Sequence, residues 1–278
     1  MSNVFQAVLC SARHPKDGKA TVSFPIPREE YDHTLELLSG MGFGSIDYQD
    51  CLVTALDSSY AALKGLIGTD ANVDELDCLA KRLKGFHEDE GAQFQRMAYK
   101  LDLRNIRDFI NLAFCCQRDS QASLNGGVKL EELYDGWYFP SFLYGSPVAA
   151  IEVFSRDGEP NGTICLPASE QQLFRQRKRT DIDSEGIRIR VVTDELPEKI
   201  SAILDLDHLK GSDIPALNRL CKAVESMEKA DLEKLNAAAL LAEPRDAEEI
   251  LRLAANLEAP DLIPAIHAPE KGGQFPVW

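Results

Sequence analysis

Apolar positions along this chain follow two periods, and the period switches at prolines and glycines. Val4–Ala12 is apolar or alternating and predicts a strand. His14-Pro15-Lys16-Asp17-Gly18 has turn chemistry, and Ala20–Pro25 predicts a second strand ended by Pro25 and Pro27. Pro27-Arg28-Glu29-Glu30 then opens a helix, because proline and carboxylates suit a first turn. Tyr31, Leu35 and Leu38 give that helix its buried stripe, and Gly40 and Gly42 end it. Ser45–Leu56 predicts another strand, with Asp47 and Asp50 flanking Tyr48 on it. Three short helices are expected next, over Val73–Phe86, Glu90–Leu101 and Asn105–Cys115. The last two are joined at Asp102-Leu103-Arg104.

The polar stretch Arg118–Gly127 reads as a linker, and an aromatic-rich segment, Leu133–Tyr144, follows it. Val148–Phe154 and Thr163–Leu166 predict strands around a hairpin-type Asp157-Gly158. Ala168–Arg179 predicts a helix capped by Pro167 or Ser169, and Ile187–Val192 a half-buried strand. Helices over Pro215–Met227, capped by Ser212-Asp213, and over Ala230–Ala242 and Asp246–Glu258 complete the pattern.

The second half thus repeats the first. Thr21-Val22-Ser23-Phe24-Pro25 aligns with Thr163-Ile164-Cys165-Leu166-Pro167, and Leu76, Leu79, Leu83 and Phe86 align with Leu217, Leu220, Val224 and Met227. Phe109 falls on Ile250. A repeat this long is a domain rather than a solenoid unit, whose period runs about 20–50 residues. The expected fold is α+β: two tandem, duplicated modules, each a small sheet with several helices, elongated overall. The boundaries read as 1–118 for the first module, 119–127 for a linker, 128–270 for the second module and 271–278 for a disordered tail.

Composition narrows the chemistry. The 278 residues carry 45 acidic and 30 basic side chains, net −15. Residues 1–120 hold 18 acidic and 13 basic side chains and the rest 27 and 17, so the halves stand at −5 and −10. Such a chain is poorly suited to binding nucleic acid through its phosphates. The seven cysteines mostly fall inside apolar patterns and read as reduced core residues of a cytoplasmic protein. No signal peptide and no membrane-length apolar run is present. Nucleophile-elbow, phosphate-loop, dinucleotide and zinc-helix motifs are absent, so no enzyme, cofactor or metal is expected. Asp181-x-Asp183-x-Glu185-Gly186 reads as a solvated acidic loop, and the basic run Arg175–Arg179 as a favourable helix C-terminus.

Phe24-Pro25-Ile26-Pro27 before Glu29-Glu30, then Ile46-Asp47-Tyr48, then Val73-Asp74-Glu75-Leu76-Asp77-Cys78-Leu79-Ala80, resembles the ArdA antirestriction proteins. Leu217-Asn218-Arg219-Leu220 and Leu253-Ala254-Ala255-Asn256-Leu257 resemble the longer ArdA-like proteins of Firmicutes mobile elements. Asp77 stands where that family often has Asn. The resemblance implies a non-enzymatic DNA mimic that blocks a type I restriction–modification enzyme, often as a homodimer, without touching nucleic acid or membrane. The partner-binding acidic surface it implies comprises Glu29, Glu30, Asp32, Asp47, Asp50, Asp74, Glu75, Glu88, Asp89 and Glu90, largely exposed. A 100 Å DNA rod carries about 60 charges. With 45 carboxylates offset by 30 cations, mimicry on this chain is expected along one face rather than all round. The rival reading is an interaction module that inhibits another defence system, such as a CRISPR effector, through Trp137, Tyr138, Phe139, Phe142 and Tyr144.

Overall fold

The computed structural model describes residues 3–118, 147–192, 196–204 and 209–257. They cluster in two compact units: one holds the residues up to 118 together with Ser169–Arg175, the other those of 147–168 and those after Arg175. The linker, the aromatic segment 133–144 and the tail 271–278 lie outside the described residues.

In the first unit, β1 (Phe5–Ser11) and β2 (Ala20–Phe24) form a hairpin, followed by α1 (Arg28–Gly40), β3 (Cys51–Ser58) and the two-residue β4 (Asp70–Ala71). The sheet is antiparallel, in the order β2-β1-β3-β4. Phe5, Ala7 and Leu9 alternate onto the buried face while Gln6 faces water, as a period of two requires. A register irregularity between Val8 and Leu9 resets the pairing with β3. A 3-10 turn, Ala61–Leu66, leads into β4; here a Cβ on Gly65 would meet the Leu103 carbonyl oxygen at 2.5 Å. Helices α2 (Val73–Lys84), α3 (Glu88–Lys100) and α4 (Ile106–Arg118) close the core. Tyr31, Leu35 and Leu38 of α1 meet Leu76, Leu79 and Leu83 of α2 and Phe94 and Phe109 of α3 and α4 in one buried cluster. Each fully buried leucine or phenylalanine there contributes about 1.5–3 kcal/mol.

The strand expected over Ser45–Leu56 begins only at Cys51, because Ser45–Asp50 is held as a loop by side chains described below. Asp47 and Asp50 therefore do not sit on a pleated surface.

The second unit carries β5 (Ala149–Phe154), β6 (Pro160–Leu166), β7 (Arg188–Val192) and α6 (Glu198–Ile203); α5 (Glu170–Thr180) belongs to the first unit up to Arg175 and to the second from Gln176. Helices α7 (Ile214–Glu225), α8 (Lys229–Ala242) and α9 (Ala247–Ala255) follow. Its antiparallel sheet runs β6-β5-β7, the order of β2-β1-β3. The β5–β6 hairpin turns at Gly158, whose φ of +89° suits glycine. Ser169 caps α5: its hydroxyl accepts the Gln172 N–H, and the Gln172 side chain accepts the Ser169 N–H. Asp213 stands at the N-cap of α7 as expected, but its carboxylate makes no cap bond and accepts the Lys210 N–H instead.

The last three helices of the two units begin at a common spacing. Val73 and Ile214, Glu88 and Lys229, and Ile106 and Ala247 open corresponding helices at one offset, 141. Leu76, Leu217, Phe109 and Ile250 are all buried. Asp77 of α2 accepts the Ile26 N–H at 2.7 Å, and Asn218 of α7 accepts the Ala168 N–H at 2.8 Å. In both units the acceptor secures the backbone just after the second strand.

Candidate functional site

The candidate carboxylates separate into three groups by environment. Glu29 and Glu30 are exposed in the first turn of α1, a helix with no side-chain N-cap, where negative charge offsets the helix dipole. Glu88 and Asp89 are exposed in the first turn of α3. None of these four forms an ion pair among the described residues. Asp47 is exposed on the loop before β3. The same unit also exposes Arg13, Lys16, Lys19, Lys84, Arg96 and Lys100, so its surface is mixed in sign rather than uniformly acidic.

A second group is half-buried and engaged in local structure. Glu90 accepts the His87 N–H at 2.8 Å and closes the first turn of α3. Asp32 accepts the Ser169 hydroxyl at 2.5 Å, within the first unit. Asp50 accepts the N–H groups of Gly44 at 3.1 Å and Ser45 at 2.9 Å.

The third group overturns an expectation. Asp74 and Glu75 are 1% and 4% exposed, so they belong to the interior and not to an acidic surface. The start of α2 is enclosed all round: every residue from Val73 to Ala80 is buried. Each carboxylate is therefore matched by donors, as burial of charge requires. Tyr31 Oη donates to Asp74 Oδ1 at 2.5 Å, and Arg175 Nη1 donates to Asp74 Oδ2 at 2.9 Å. Arg175 Nη2 also reaches the Gly44 carbonyl at 2.5 Å. Gln49 Nε2 and Arg107 Nε each donate to Glu75 at 2.8 Å. Asp77 is paired with Lys81 at 2.7 Å besides holding Ile26. Burial, and then the neighbouring Asp74 charge, holds the Tyr31 hydroxyl well above its ordinary pKa. Burial likewise raises the Asp77 carboxyl, with Lys81 pulling the other way.

Asn72 links this interior network to the surface. As N-cap of α2 its side-chain oxygen accepts the Asp74 N–H at 2.9 Å, and Glu75 returns to the Asn72 N–H at 3.4 Å. The Asn72 amide nitrogen donates to the Ser45 carbonyl at 2.8 Å and the Tyr48 carbonyl at 2.9 Å. The loop Ser45–Asp50 is thus fastened from inside by Asn72, Gln49 and Asp50, while Tyr48 projects 65% exposed. Sequence reasoning missed Asn72, Gln49 and the pairing role of Arg175. The pattern Asn72-x-x-Glu75 was the available signal, since it is an N-cap followed three residues later by glutamate. The basic run Arg175–Arg179 does not act as a unit: Arg175 is buried against Asp74, whereas Arg177 pairs with Asp183 at 2.6 Å.

None of the seven cysteines forms a disulfide, and all but the half-buried Cys115 are buried. Burial pushes the Cys116 and Cys221 thiols up to about 12, far from nucleophilic readiness. Among the described residues no three His, Cys, Asp or Glu side chains converge to hold a metal ion, and no helix is long and apolar enough to cross a membrane.

Comparison with family models, with curated proteins and with solved structures gives no match to this chain. Fold and surface together define an α+β protein of two compact units. The first unit projects acidic helix starts and a fastened loop from an interior rich in paired carboxylates.

Proposed function

We propose that this chain is a binding inhibitor of a DNA-processing defence enzyme, of the ArdA-like antirestriction class, with a type I restriction–modification complex as target. The supporting observation is the set Glu29, Glu30, Glu88 and Asp89: exposed, free of ion pairs among the described residues, and located in the half whose motifs resemble that family. Carboxylates presented this way replace DNA phosphates at cations of the enzyme groove. The acidic contact is local, because Asp74 and Glu75 are committed to the interior. The same reading takes the two units as copies of one ancestral module, supported by the common helix offset and by the matched roles of Asp77 and Asn218.

The test is a quadruple reversal, E29K/E30K/E88K/D89K, which moves the net charge from −15 to −7, two units per residue. Exposed sites of this kind usually change stability by no more than about 0.5 kcal/mol, with about 0.3–1 kcal/mol more where lysine opposes a helix dipole. Circular dichroism should therefore show a folded protein. Inhibition of a type I restriction enzyme is expected to fall at least tenfold, and wild-type inhibition to weaken steeply between about 50 and 200 mM salt. A folded quadruple variant that inhibits at full strength would refute the reading.

A further inference from the structure

Several large apolar side chains are exposed, among them Leu37, Tyr99, Phe174 and Leu241. Lone examples on regular helices are ordinary. Tyr48 differs in its support. It stands on a six-residue loop fastened from inside: Asp50 takes the Gly44 and Ser45 N–H groups, Gln49 bonds Glu75, and Asn72 holds the Ser45 and Tyr48 carbonyls. Two of the anchors, Asn72 and Glu75, are themselves buried. Outward, the loop presents the exposed Tyr48 ring, whose hydroxyl has no hydrogen bond among the described residues. A rigid aromatic loses little freedom on binding, so it suits an anchoring role.

We propose that the Ser45–Asp50 loop is a preformed anchor that receives an arginine side chain of a cationic protein groove, the guanidinium stacking on the Tyr48 ring. Charge selects the occupant: a chain of net −15 draws a basic surface, and among basic side chains the planar guanidinium is the one that stacks on an aromatic face. The inference rests on the function proposed above and names the recognition chemistry of one contact.

Two arms test it. In the first, a nona-arginine peptide is titrated into the isotope-labelled full chain, with a nona-lysine peptide of equal charge as comparator. The amides of Ser45–Asp50 should shift with arginine and much less with lysine, and Y48A should weaken arginine-peptide binding by about threefold or more. Equal shifts with both peptides, or shifts confined to Glu29, Glu30, Glu88 and Asp89, would overturn the proposal. In the second arm, Y48A should weaken inhibition of a type I restriction enzyme by about 10–30-fold, with Y48F within about twofold of wild type. Unchanged inhibition by folded Y48A would also overturn it. A wild-type chain that leaves such an enzyme uninhibited would sink the proposed target, while the peptide arm would still decide the loop.

Discussion

Asp77 shows how one buried carboxylate couples structure to pH. It secures the Ile26 N–H and lies against Lys81, but burial dominates and raises its pKa from the ordinary 3.8. The folded state therefore holds the proton more tightly than the unfolded chain does. From about pH 3.8 up to the raised value, this group makes stability fall as pH rises, and above that window its contribution is flat. Asp77→Asn should keep the bond to Ile26 and remove that slope, so its stability relative to wild type improves as pH rises through the window. Asp77→Ala leaves the Ile26 N–H without a partner and should cost about 1–3 kcal/mol at neutral pH. Urea unfolding from pH 3 to 7 reads both effects, and parallel pH profiles for wild type and Asp77→Asn would disprove the assignment.

At the scale of elements, the start of α2 organises the first unit. Asn72 caps the helix with its oxygen and fastens the loop before β3 with its nitrogen, two roles carried by one amide. Substitution can separate them. Asn72→Asp keeps the cap and loses the loop donor; Asn72→Ala loses both. We expect Asn72→Ala to cost about 2–3 kcal/mol, a cap of about 1 kcal/mol plus two part-buried carbonyl partners, and Asn72→Asp to cost less. Hydrogen exchange should accelerate over Ser45–Asp50 in both variants, whereas the first turn of α2 should loosen only in Asn72→Ala. Protection of the loop unchanged by Asn72→Asp would show that Gln49 and Asp50 suffice to hold it.

At the scale of the whole molecule, the two units proposed as copies use different chemistry at one position. Asn218 both accepts the Ala168 N–H and donates to the Ala168 carbonyl at 3.0 Å; Asp77 can only accept, and draws on Lys81. If the units are copies, exchanging the residues should exchange their behaviour. Asn218→Asp should destabilise the chain at neutral pH by burying a new carboxylate and orphaning the Ala168 carbonyl, then recover as pH falls and the carboxyl is protonated. Thermal melts at pH 4 and pH 7 check this, and a loss that is the same at both would count against a buried carboxylate at that position.

Local physics made the helices legible in the sequence. Leu76, Leu79 and Leu83, and Leu217, Leu220 and Val224, carry the helical period themselves, and all are buried. The alternation of Phe5, Ala7 and Leu9 predicted β1 in the same way, and repetition of that pattern gave the α+β order of both halves. The exposure of a carboxylate was legible where its fate depends on its own helix turn, as for Glu29, Glu30, Glu88 and Asp89. Asp74 and Glu75 read as surface charge because the groups that neutralise Asp74 come from Tyr31 and Arg175, 43 and 101 positions away. The segment Ser45–Asp50 reads as strand, but the donors of Asn72, 27 and 24 positions from the carbonyls they hold, draw it into a loop. A side chain's period is written in its neighbours along the chain. The partner that makes its burial affordable is brought to it only by the fold.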